Sequence, residues 1–67
     1  MLGAVIKQYL NDNGIKQNFL VEKTGLSPSQ ISYICNHDRR VDAIEYYKIC
    51  KALNVELEYF VKKAGIE

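Results

Sequence analysis

The five residues Thr24-Gly25-Leu26-Ser27-Pro28 constrain this chain more than any other stretch. Glycine at position 25 takes a positive φ without steric penalty, which suits the end of a helix. Two residues later Ser27 has the side-chain oxygen of an N-cap. Pro28 then falls at the first helical position, where its missing N–H is no loss. Gln30 completes a capping box: the serine accepts from the backbone N–H of residue 30, and the glutamine side chain reaches back to the N–H of residue 27. One helix therefore stops and another starts within a few residues. Losing that cap in Ser27→Ala is expected to cost about 1 kcal/mol.

Helical spacing extends over the rest of the chain. Only one proline is present, no strand-like alternation of useful length appears, and the class is all-α. The spacing predicts helix 1 over about 2–11, with Leu2, Val5, Ile6, Tyr9 and Leu10 on one stripe and Lys7 and Gln8 on the wet side. Gly14 ends it. Helix 2 is predicted over 16–24, with Leu20 and Val21 as core residues and Ile15 leading in. Helix 3 begins at Ser27-Pro28 and turns Ile31, Ile34 and Cys35 inward, leaving Pro28, Ser29, Ser32 and Tyr33 outward. A second capping box, Asp42 with Glu45, opens helix 4, which runs to 53 with Ala43, Tyr46, Ile49, Cys50 and Leu53 buried and closes at Asn54. Helix 5 is predicted over 56–64, with Leu57, Phe60 and Val61 inward and Gly65 at its end.

Sixty-seven residues make one domain, spanning 1–67. A chain of this length buries only about 60% of the surface its unfolded form exposes, so its stability is marginal. Cys35 and Cys50 lack metal-ligand spacing. A disulfide between them is conceivable, but without a secretory segment a reducing cytoplasm is expected, and both cysteines read as small buried apolar residues. No apolar run approaches the roughly 20 residues of a membrane span. Nine Lys/Arg against eight Asp/Glu leave a net charge of +1, so charge alone does not argue for nucleic acid. Any basic face must be made by folding. The single histidine, His37, has only Asp38 beside it, and no catalytic, metal, cofactor or small-molecule site is expected.

Two helices joined by a short glycine turn form a helix-turn-helix, whose second helix can enter the DNA major groove. The sequence Gly14-Ile15-Lys16-Gln17, with Leu20-Val21, Gly25-Leu26-Ser27 and Ile31-Ser32-Tyr33-Ile34, resembles the Cro/C1-type (XRE-family) helix-turn-helix domain of phage and bacterial repressors. So does Ile49-Cys50-Lys51-Ala52-Leu53-Asn54-Val55, followed by Leu57 and Phe60. The resemblance spans nearly the whole chain. The chain departs from it at Val21, where the family often has Ala, at Cys35, where it often has Glu, and near His37, where it often has Gly.

The resemblance implies a five-helix, lambda-repressor-like domain that binds double-stranded DNA as a homodimer, most simply a cytoplasmic repressor of a bacterium, phage or mobile element. It places Pro28, Ser29, Gln30, Ser32 and Tyr33 where helix 3 meets base edges. Gln30's amide has a competing role in the capping box. The usual arginine-to-guanine contact is missing from this helix. Lys16, Gln17, Asn36, Arg39 and Arg40 match phosphate-contacting positions, and adjacent arginines suit phosphate by charge and geometry. The plainer alternatives are a solvated Gln17 and surface pairing of the two arginines with Asp38 and Asp42. Family members pair through the C-terminal helix, where Tyr59, Lys63, Ala64 and Ile66 are the candidate contacts; the alternative is a frayed end. Phe19, Ile44 and Tyr47 either pack locally or form an exposed patch. The rival function is a protein-interaction module on the same fold, antitoxin-like or a regulator's partner, with weak or no DNA binding.

Overall fold

The computed structural model describes residues 2–37 and 40–65. These form α1 (Leu2–Asp12), α2 (Gln17–Thr24), α3 (Pro28–Asn36), α4 (Ala43–Leu53) and α5 (Glu58–Lys63). The described residues contain no strand. Helix α3 packs on α1 and α2, α4 packs on α2, and α5 closes against α1. The core joins Ile6 and Leu10 of α1, Leu20 of α2, Ile31 and Ile34 of α3, Ile49, Cys50 and Leu53 of α4, and Phe60 of α5.

The capping signals form as expected. The Ser27 hydroxyl accepts from the Gln30 N–H at 3.1 Å, and the Gln30 amide oxygen accepts from the Ser27 N–H at 2.9 Å. Asp42 and Glu45 repeat the pattern, at 2.7 and 3.2 Å. Gly25 takes φ +77° and donates its N–H to the Val21 carbonyl, which turns the chain from α2 toward α3. Thr24 reinforces this turn from inside. Its buried hydroxyl donates to the Leu20 carbonyl at 2.6 Å and accepts from the Leu26 N–H at 3.1 Å. With the cap in place, Ser27→Ala should lower the free energy of unfolding by about 1 kcal/mol, read from the urea midpoint. An unchanged midpoint would show that Gln30 alone holds the helix start.

Phe60 is fully buried and anchors an aromatic cluster. Its ring meets Tyr59 at 5.1 Å, Tyr9 at 5.5 Å and Tyr46 at 6.4 Å, all edge-on. The Tyr46 hydroxyl donates to the Leu57 carbonyl. Burial, followed by its hydrogen bond with the Cys50 thiol, pushes the Tyr46 phenol up to about 12. Cys35 and Cys50 are both free and buried, and burial raises both thiols above their ordinary value. Protonated, enclosed thiols are poor nucleophiles, consistent with packing roles.

Four expectations need correction. Ala43 is exposed rather than buried, because Glu45 occupies the inner side of the first turn of α4. Leu57 is 50% exposed: it precedes α5 as its capping residue, and what it contributes inward is its carbonyl. Helix α5 starts at Glu58 and ends at Lys63, shorter than 56–64. Ser32 is half-buried instead of pointing freely outward. Phe19 packs locally, half-buried against the core with the Lys23 ammonium 5.8 Å above its ring.

Candidate nucleic-acid interface

The buried stripe of α3 decides what its other side presents. With Ile31, Ile34 and Cys35 inside, Pro28, Ser29 and Tyr33 fall at exposed positions, and Tyr33 is 54% exposed. The Tyr33 ring leans on His37, with centroids 5.1 Å apart. His37 is the residue at which α3 stops, and its N–H bonds to the Tyr33 carbonyl. An aromatic ring supported in this way presents a hydroxyl and an apolar face at limited entropic cost.

Gln30 is held differently. Its amide oxygen closes the α3 capping box, and its amide nitrogen lies 3.5 Å from a carboxylate oxygen of Glu45, a long contact. The two capping boxes, of α3 and α4, are thus joined through their third residues. Glu45 is 5% exposed, and the join seats the start of α3 beside the start of α4. A buried acid at the second cap is not legible in the sequence. The only signal is the capping-box position itself, which tells that the carboxylate turns back toward its helix end and nothing of its burial.

At the other end of α3, Gln17 of α2 donates to the Asn36 amide oxygen at 3.1 Å. Asn36 in turn donates to the Ser32 hydroxyl at 3.1 Å. Three residues named from the sequence, Gln17, Asn36 and Ser32, therefore form one hydrogen-bonded chain across the helix pair. Lys16 is exposed immediately before α2, in extended backbone, and its side chain does not cap the helix. The first N–H groups of α2 consequently lack a side-chain cap, and a helix start of this kind favours an anion. Arg40 is exposed in the segment between α3 and α4. Arg39 and its alternative surface partner, Asp38, lie outside the described residues.

The C-terminal candidates divide. Tyr59 is half-buried, its ring 5.5 Å from Tyr9, and the Lys63 ammonium lies 5.4 Å over it. Both line an open groove of about 470 Å³ between α1 and α5, with Val5, Gln8 and Tyr9. Ala64 is half-buried where α5 ends, and Ile66 lies outside the described residues. Ile44 and Tyr47 of α4, by contrast, are 65% and 52% exposed. Among the described residues no helix is long and apolar enough to cross a membrane.

A protein-family model described as Helix-turn-helix matches residues 6–60, from the first core residue of α1 to Phe60. No curated protein matches the chain significantly.

Proposed function

The chain belongs to the Cro/C1-type helix-turn-helix family of DNA-binding regulators, and from that premise we propose that it is a repressor that binds its operator as a homodimer. Helix α3 lies in the major groove. Pro28, Ser29 and Tyr33 read base edges, with Gln30 and Ser32 at the margin, because the Gln30 amide serves the cap and the half-buried Ser32 hydroxyl accepts from Asn36. Lys16, Gln17, Asn36, Arg39 and Arg40 hold the sugar-phosphate backbone. Two α3 helices in successive major grooves, about one DNA turn apart, supply the affinity that one small domain lacks. The partner contact is made from the C-terminal helix, with Tyr59, Lys63, Ala64 and Ile66 as candidates. Such a protein acts where the genome is, in the cytoplasm of a bacterial host.

The observation that carries this reading is the framing of the exposed face of α3. The side chains of Tyr33 and Ser29 are free of any capping duty, while the Gln17–Asn36 hydrogen bond ties the anion-favouring start of α2 to the end of α3. Ser and Tyr are tolerant donors and acceptors, so no single position is expected to dominate specificity.

The test separates reading from holding. Anisotropy titrations with the DNA upstream of the protein's own gene, and with scrambled DNA, should give different outcomes for two variants. Arg40→Ala should weaken both DNAs by a similar factor. Tyr33→Ala should weaken the specific DNA by roughly 1–3 kcal/mol and narrow its advantage over scrambled DNA. Equal affinity of the unaltered protein for both DNAs would refute operator recognition.

A further inference from the structure

We propose that the outer face of α4 and the start of α5 form a second docking surface, built for an acidic, apolar segment of a protein partner. It is separate from the α3 face and does not depend on the DNA reading.

The apolar half is a groove of about 540 Å³ lined by Ala43, Tyr46, Tyr47, Leu57, Glu58 and Val61. Tyr47 and Leu57 stand about half exposed, and Ile44, one helical turn before Tyr47 and Lys48, is 65% exposed. Exposed large apolar side chains are unremarkable when scattered, but here Tyr47 and Leu57 line one groove, and Ile44 shares the α4 stripe of Tyr47. Tyr47 also borders a second concavity, of about 410 Å³, lined by Lys23, Lys48, Lys51 and Ala52. The two grooves share Tyr47 and so form one surface, apolar at one end and basic at the other. Along α4 the residues Ile44, Tyr47, Lys48 and Lys51 follow the i, i+3, i+4, i+7 spacing of a single stripe. This stripe lies away from the buried side of the helix, which holds Glu45, Ile49, Cys50 and Leu53.

Charge identifies the occupant. Among the described residues none of the three lysines pairs with a carboxylate; Lys23 lies over Phe19, and Lys51 lies 5.9 Å over the Tyr47 ring. The Lys51 ammonium is held at the groove by the Tyr47 face, and Lys23 and Lys48 line the same concavity, so the basic end is left open to an incoming acid. A segment with apolar residues at helical spacing and acids beside them satisfies both ends, in the helix-in-groove mode. Nucleic acid fits poorly, since a phosphate backbone has nothing to bury in the apolar half and would meet Glu58 there. A second copy also fits poorly, since an interface centred on this stripe turns lysines of both copies toward each other.

Two helical peptides of identical leucine spacing test this, one with glutamates between the leucines and one with lysines. Each is titrated into the isotope-labelled full-length protein and followed by amide chemical shifts. The glutamate peptide should perturb Ile44, Tyr47, Lys48, Lys51 and Leu57 rather than α3, and the lysine peptide should not. The double variant Lys48→Glu, Lys51→Glu should weaken glutamate-peptide binding more than about tenfold, and Tyr47→Ala should also weaken it. All three positions are exposed, so the fold should persist, as the urea midpoint will show. DNA binding by the double variant, measured alongside, tells loss of this surface from loss of the α3 site. The proposal is overturned if neither peptide shifts these amides, if both bind equally, or if the shifts fall on α3. It is also overturned if the surface proves to join two copies of the chain, seen as a dimer that Tyr47→Ala dissociates.

Discussion

Phe60→Ala should abolish cooperative folding, or come close to it. Removing a fully buried phenylalanine costs about 3–5 kcal/mol, and a domain of this size commonly has little more than about 3–5 kcal/mol of stability in total. The position is unusually vulnerable to that arithmetic. Among the described residues of α5, Phe60 alone is buried. A helix of six residues does not persist in water without tertiary contacts. Without the ring, α5 loses its anchor, and Tyr9, Tyr46 and Tyr59 lose the partner they share. Urea denaturation followed by far-ultraviolet circular dichroism is the measurement. A substitution at the surface, Ile44→Ala, should move the midpoint by no more than about 0.5 kcal/mol equivalent. A Phe60→Ala variant that keeps a cooperative transition near the original midpoint would mean that α5 is dispensable to the core.

Affinity for operator DNA should fall about a thousandfold between roughly 50 and 200 mM salt. The figure follows from the proposed homodimer, in which Lys16, Arg39 and Arg40 of each subunit would neutralise about six phosphates and release their counterions. Substituting both arginines by alanine should flatten the slope of log affinity against log salt from about −5 to about −2, leaving the two lysines. Because phosphate contacts carry no base information, preference between operator and scrambled DNA should change little in this variant. The net charge of +1 makes this a sharp measurement. A protein with little excess positive charge has few competing long-range contributions, so the slope reports local contacts. A flat salt dependence in the unaltered protein would favour the rival reading, a protein-interaction module on a helix-turn-helix fold.

The two capping boxes show how much a sequence can specify locally. Ser27 with Gln30 and Asp42 with Glu45 are bonds between residues three apart, and their geometry is set almost entirely by the nearby backbone. The helix-ending positive φ at Gly14, Gly25 and Asn54 belongs to the same class of local effects. The apolar stripe of α3 is equally legible. Periodicity is weaker at the margins of a stripe. Ala43 and Leu57 sit at such margins, and which one is covered depends on the angle of the neighbouring helix. That angle is not a property of α4 or α5 alone. The candidate site divides the same way. Ser29 and Tyr33 follow from the periodicity of α3, whereas the commitments of Gln17, Gln30 and Asn36 do not.

The sequence by itself determined five helices, where each pair of capping residues sits, the glycine turn between α2 and α3, and which side of α3 is apolar. These rest on interactions within one or two turns, where covalent connectivity limits the choices. Tertiary structure alone decided the rest. It joined Gln30 to Glu45 across 15 residues and Gln17 to Asn36 across 19. It also buried an acid beside a helix start and set Tyr47 between an apolar groove and three lysines. Such contacts depend on how whole helices cross, and helix crossing is settled by the packing of many side chains at once.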